Sequence, residues 1–193
     1  FGLAESDSLV GMVAQLIPRK GHAVLLEAME HLRTDHSNLR VLFFGRGPLA
    51  ASLQEEITRR NLASRMQLAG FRPDLPRIVP ALDLVVHPAL AEGLGVALIQ
   101  AAAAGVPIVG ARAGGIPEIV HHEQNGLLVE PGDASGLAQA IDRLLADRAL
   151  RRQFGAEGRS LVARQFTYEQ MVTGNLAVYR ELLEPQARLR TAG

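Results

Sequence analysis

The chain has 193 residues, enough for one generous domain around a single core, with 48% hydrophobic and 21% charged residues and no apolar run long enough to span a bilayer. Its 20 Lys and Arg balance its 20 Asp and Glu, so no global basic field gathers nucleic acid or an anionic membrane, and any anion site has to be local. The lack of cysteine removes disulfides, thiolate nucleophiles and cysteine-based zinc sites and suits a reducing cytoplasm, while residues 1–8 lack the pattern of a signal peptide and, without an initiator Met, read as a cut point in a longer protein.

Short apolar runs alternate with segments of helical period, as βαβ units around a parallel sheet require. The first strand is expected at 9–13. The turn after it, Gln15-Leu16-Ile17-Pro18-Arg19-Lys20-Gly21-His22, puts Arg19 and Lys20 ahead of a helix over 21–32. A planar guanidinium and a mobile ammonium there suit a diphosphate, and an isolated basic pair suits a solvated loop as well. A second strand at 40–44 runs into Gly45-Arg46-Gly47-Pro48, whose glycines permit close approach and whose proline fits the first position of a helix over 48–61. A strand at 66–69, a helix over 74–81 and a strand at 84–87 follow. Asp83 reads as an anchor for backbone, and His87, just before Pro88, either points at a ligand or is satisfied in the core.

The next stretch is the most informative. Glu92 precedes a Gly93-Leu94-Gly95 turn, an alanine-rich helix over 95–104 carries a single polar residue, Gln100, and Gly105 with Pro107 stops it before a strand at 107–110. Such a helix opens on free N–H groups and the positive end of its dipole, a seat for phosphate at Gly93, Leu94, Gly95 and Val96. A second glycine turn, Gly114-Gly115, leads into a short helix over 116–120, and a last strand falls at 126–129. Asp133 then caps a helix over 134–146, amphipathic helices follow over 150–165 and 168–183, and residues 185–193 are expected to fray. Right-handed crossovers give an α/β fold, a Rossmann-like doubly wound parallel sheet of about six strands with helices on both faces and ligands at the carboxyl ends of the strands. Its core would cover 9–165, with a carboxy-terminal helix over 166–184 and a tail over 185–193.

Other chemistries lack their signatures. No Gly-x-Gly-x-x-Gly follows the first strand, and there is no Walker phosphate loop, no Gly-x-Ser-x-Gly elbow and no His-Glu-x-x-His, so hydride transfer, P-loop hydrolysis, acyl transfer and a metal site all lose ground. His121-His122 fit a polar surface loop.

Taken in order, these turns resemble the carboxy-terminal, donor-binding domain of GT-B glycosyltransferases of the retaining group 1 or family 4 type. The likeness runs from about Leu9 to Leu183 and rests on Pro18-Arg19-Lys20-Gly21, Phe44 to Pro48, Gly70-Phe71-Arg72-Pro73-Asp74, Glu92 to Gly95, Gly105-Val106-Pro107, Gly114 to Val120 and Asn125 to Asp133. It implies one lobe of a GT-B fold, with the amino-terminal acceptor lobe outside this chain, and transfer of a sugar from a UDP, GDP or ADP donor to a saccharide, lipid or small-molecule acceptor. No cofactor and no obligatory metal are implied. Lys20 matches the family's diphosphate-binding lysine, whereas its companion arginine is replaced by Gln15, with Arg19 nearby. Of the family's two glutamates, Glu92 matches the one beside the transferred sugar and Gln100 replaces the one on the ribose. Gly45 and Arg46 line the donor site, and Phe71 and Arg72 fall where the base is contacted. The resemblance thus assigns Lys20 and Glu92 to catalysis, in a cytoplasmic enzyme that is peripheral to the membrane in some members. The alternative is a catalytically relaxed nucleotide-binding or scaffold module, in which Gln15 and Gln100 mark a worn site.

Overall fold

The computed structural model describes residues 1–32 and 36–190, the last seven as backbone only. Six strands, β1 (Ser8–Val13), β2 (Leu39–Phe44), β3 (Met66–Gly70), β4 (Leu84–His87), β5 (Ile108–Ala111) and β6 (Gly126–Val129), form one parallel sheet in the order β3-β2-β1-β4-β5-β6. This is the doubly wound sheet that the alternating pattern predicts. Between β1 and β2 the register is continuous, from Ser8 against Leu39 to Val13 against Phe44, and between β2 and β3 it shifts once, between Phe43 and Phe44.

Successive strand residues point to opposite faces, and here both faces are buried. Val41 and Phe43 join one core with Val10, Met12 and Val86, covered by α1 (His22–His31), α2 (Ala50–Arg59) and α6 (Ala134–Ala146). Leu42 and Phe44 join the other with Val85, Ile108 and Leu128, covered by α4 (Val96–Ala103) and α5 (Ile116–Ile119). The long α7 (Arg148–Gln165) serves both, burying Phe154 in the first core and Val162 in the second.

Several boundaries differ from the sequence expectation for identifiable reasons. The helix expected over 48–61 runs from Ala50 to Arg59, and the Leu49 N–H just ahead of it is taken by the Leu16 carbonyl. The helix expected over 74–81 splits into α3 (Leu75–Ile78) and a 3₁₀ turn at Val79–Ala81, since Pro80 has no N–H to continue the ladder. Asp83 anchors backbone as expected, its carboxylate accepting from Leu9 N–H at 2.9 Å, and Asp133 caps α6 through Gly136 N–H at 2.8 Å. The last helix, α8 (Tyr168–Arg190), runs seven residues past the expected end at 183, through Pro185, so the expected tail over 185–193 is helical to Arg190. Residues 191–193 lie outside the described residues. Met171, Leu176, Tyr179, Leu182 and Leu183 on α8 are exposed. Among the described residues, no helix is long and apolar enough to cross a membrane.

Candidate functional site

Strand order reverses at the β1/β4 pair, where the chain winds outward in both directions and leaves a crevice at the carboxyl ends. The turn after β1 carries Gln15, Arg19 and Lys20. The turn after β4 carries Glu92. The two are bound backbone to backbone: Leu90 N–H bonds to the Arg19 carbonyl at 2.8 Å, and a Cβ on Gly21 would lie 1.8 Å from the Pro88 carbonyl oxygen, so only glycine allows the approach. The Gly114-Gly115 turn props the same loop from behind. Gly115 N–H bonds to the Gly93 carbonyl at 2.9 Å, and a side chain at Gly114 would strike the Glu92 carbonyl. These glycines allow turn-to-turn contact, a use that their sequence pattern does not distinguish from ligand access.

In the crevice Lys20 Nζ meets Glu92 Oε2 at 2.5 Å, with both side chains about nine-tenths buried. His87 Nε2 lies 2.6 Å from the same oxygen, and Gly93 N–H bonds to Oε1 at 3.0 Å. Burial alone would raise the Glu92 pKa, but the hydrogen bonds from Lys20 and His87 and their charge outweigh it and hold the carboxyl at about 2. Glu92 is therefore an ionised acceptor at neutral pH and no general acid. Burial pushes the His87 pKa down, against the pull of Glu92. His22, the first residue of α1, is 2% exposed and lowered to about 4, chiefly by burial, with the Ile17 carbonyl offsetting only part. Neither of its ring nitrogens has a well-formed hydrogen bond, and the ring packs on Phe43 at 5.6 Å between centroids. Among the described residues only Lys20, His22, His87 and Asn125 are buried and polar, and three of the four stand around this crevice. Sequence reading missed His22, which carries no signal beyond following Gly21.

Beside the crevice, at the ends of β1, β2 and β3, lies a cavity of about 310 Å³ lined by Val13, Gln15, Phe44, Gly45, Arg46, Phe71, Arg72 and Leu75. Arg46 rests over the Phe71 ring, 5.2 Å from its centroid, and Phe71 itself is 63% exposed. Arg72 is engaged by a two-pronged pair with Asp74 at 2.8 and 2.6 Å, which lowers the Asp74 pKa to about 2. Arg19 is exposed, its guanidinium 3.4 Å from the Ala91 carbonyl. Helix α4 opens at Gly95 without a side-chain cap, and Leu94 and Val96 are exposed beside its free N–H groups. Gln100 stands apart from the 310 Å³ cavity. It lines a separate hollow of about 340 Å³ with Pro76, Val79, Pro80, Ala103 and Ala104, and α3 borders both. Among the described residues no three His, Asp or Glu side chains converge as metal ligands, and His122 Nδ1 instead accepts from Leu128 N–H at 3.0 Å.

The family model described as "Glycosyl transferases group 1" matches residues 1–161. N-acetyl-alpha-D-glucosaminyl L-malate synthase of Bacillus anthracis is 28% identical over 183 residues, covering 95% of this chain and 48% of its own length. Among solved structures, sucrose-phosphate synthase from Thermosynechococcus elongatus superposes with a TM-score of 0.84 at 30% identity, over 95% of this chain and 47% of that one. HepE of Anabaena, solved in complex with UDP and glucose, gives 0.80 at 28% identity over 91% and 48%. The chain thus spans about half the length of the relatives it matches.

Proposed function

The chain belongs to the group 1 glycosyl transferases, and from that membership we propose that it is the donor-binding half of a retaining glycosyltransferase, which moves a sugar from a nucleoside diphosphate to an acceptor on a second lobe. The observation that carries this reading is the meeting of Lys20 and Glu92, from two different turns, at the strand-order reversal and beside the uncapped start of α4. A cation, an ionised carboxylate and free backbone N–H groups at one point suit a ligand that carries a diphosphate next to a polyhydroxylated ring.

In the reaction, charge develops on the departing diphosphate. Lys20 has two N–H bonds to give beyond the one to Glu92, and with Arg19 and the N–H groups of Leu94 to Val96, which follow the Gly93 N–H held by Glu92, it neutralises that charge through groups already in place. Glu92, held ionised, accepts from sugar hydroxyls and orients the ring. The nucleoside lies along the neighbouring cavity, its base against Phe71 and Arg72, with Gln15, Gly45 and Arg46 between base and phosphates. No protein nucleophile and no metal are needed. The UDP bound by HepE supports a nucleotide donor and leaves UDP, GDP and ADP open for this chain. Exposed Leu94 and Val96 at the rim, with the apolar residues of α8, suit an amino-terminal acceptor lobe outside this sequence. The parent enzyme would act in the cytoplasm, peripheral to the membrane where its acceptor is a lipid.

A thermal-shift panel with UDP, GDP and ADP, each with and without magnesium, tests the reading. One nucleotide at 100 times its Kd adds about 2.7 kcal/mol of stability and raises the melting midpoint by several degrees. The expected result is a shift with one base that magnesium does not change. No shift with any of the three would favour the relaxed module in which Gln15 and Gln100 have weakened the site.

A further inference from the structure

Three donors converge on the Glu92 carboxylate: Lys20 Nζ and His87 Nε2 on Oε2, at 2.5 and 2.6 Å, and Gly93 N–H on Oε1 at 3.0 Å. An ionised carboxylate offers about four lone-pair positions, so about one stays open, on Oε1. Two of the three donors come from the turns themselves and give the carboxylate no direct tie to a strand. Lys20 is a flexible stem whose ammonium also has a diphosphate to attend to, and the Gly93 N–H belongs to the same loop as Glu92. His87 differs, since it ends β4 in ladder register with Gly110 and its ring is 3% exposed.

We propose that His87 is the positioning residue of this site: its Nε2–H pins Oε2 of Glu92 to the sheet, leaving the open lone pair of Oε1 in one fixed direction for a hydroxyl of the donor sugar. The inference rests on the donor-binding reading above. Chemistry fixes the tautomer. Buried beside the Lys20 ammonium and near His22, the ring is neutral and carries a single N–H. With the proton on Nδ1, a buried N–H would lack a partner and a bare Nε2 would face a carboxylate oxygen at 2.6 Å, acceptor against acceptor. With it on Nε2, the short contact is a charge-assisted hydrogen bond. Because His87 comes from the strand and Glu92 from the loop, the bond passes the strand's rigidity to the loop carboxylate, as a supporting side chain does for a group that must hold its aim.

Two measurements on this chain test it. Long-range proton–nitrogen NMR at pH 7 should find His87 in the Nε2–H tautomer, and an Nδ1–H tautomer would overturn the proposal. Calorimetric affinities should then be compared within the pairs UDP and UDP-glucose, GDP and GDP-mannose, and ADP and ADP-glucose. His87→Leu should remove about tenfold of the affinity that the sugar adds, the scale of one charge-assisted hydrogen bond, while the free nucleotide loses less than about threefold. His87→Gln, which keeps an N–H donor near the position of Nε2, should restore most of the sugar's share. If His87→Leu weakens nucleotide and nucleotide sugar equally, or if Gln fails to rescue in a normally melting protein, His87 is merely structural and the inference fails. Wild-type protein that binds none of the six would sink the donor reading and this inference together, whereas normal binding with an unchanged ratio sinks the inference alone.

Discussion

Lys20 is the residue on which the proposed chemistry depends most. It is the single lysine of the chain and is about nine-tenths buried, whereas the described arginine side chains lie nearer the surface, and its one neutralising partner is Glu92. A buried ammonium with a single carboxylate leaves two N–H groups unassigned, which is the condition for an anion to be taken up without breaking the pair. In the full-length enzyme, Lys20→Ala should lower the transfer rate by roughly 100-fold, about 3 kcal/mol of transition-state stabilisation, and steady-state turnover close to wild type would remove Lys20 from the mechanism. The same substitution leaves Glu92 facing only His87 and the Gly93 N–H, so the carboxyl should titrate at a higher pH, which NMR of the side-chain carboxyl reads independently of any activity. Lys20 and Glu92 were both legible in the sequence because each sits in a glycine turn after an apolar run. Their contact was not, since 72 residues separate them and only the strand order brings the two turns together.

At the scale of elements, what holds the site is the stacking of turns. The loop with Glu92 and Gly93 has no regular structure of its own, and it is fixed from one side by the β1 turn and from the other by the Gly114-Gly115 turn before α5. Gly115 has an ordinary φ of −80°, so alanine is unstrained there, yet its Cβ would lie 2.2 Å from the Gly93 carbonyl oxygen. Gly115→Ala must therefore push the Gly93 turn off its support. The expected outcome is a loss of about 1–3 kcal/mol in urea unfolding, the usual cost of overpacking, together with at least a tenfold fall in nucleotide affinity. Gly174→Ala, on α8 where a Cβ meets open space, is the control and should leave both unchanged or raise stability slightly. Affinity that survives Gly115→Ala would mean that the donor does not use this turn. The elements themselves were readable because a parallel sheet buried on both faces shows as plain apolar runs, and the expected spans for β4 and β6 match the observed ones to the residue. Helix ends were less legible, since contacts between segments distant in sequence, such as the Leu49 N–H on the Leu16 carbonyl, shape the turns that lead into them.

For the molecule as a whole, the crevice imposes a cost that appears as pH-dependent stability. Both cores are apolar, and the buried polar groups are concentrated where β1 meets β4. His22 has a pKa of about 4 in the folded protein and an ordinary value of 6.5, so between those values the unfolded chain binds a proton that the folded chain refuses. Its contribution is complete above pH 6.5 and is lost as the pH falls toward 4, with a ceiling on the order of 3 kcal/mol. His87, also lowered by burial, adds a decline of the same sign. Glu92 acts lower: its carboxyl is held at about 2 against an ordinary 4.5, so its contribution persists above pH 4.5 and goes only as the pH falls toward 2. Acid should thus weaken the fold in two stages, histidines first. Urea unfolding from pH 8 to 4.5 should show stability falling below pH 6.5 in the wild type, and His22→Phe, which keeps a ring against Phe43, should flatten most of that slope. Removing an imidazole without good hydrogen bonds also removes a desolvation cost, so the variant should be at least as stable as wild type at pH 7. Parallel slopes for the two proteins would show that His22 takes up its proton in the folded state as easily as in the unfolded one, and that the interior at the strand-order reversal is wetter than its 2% exposure implies.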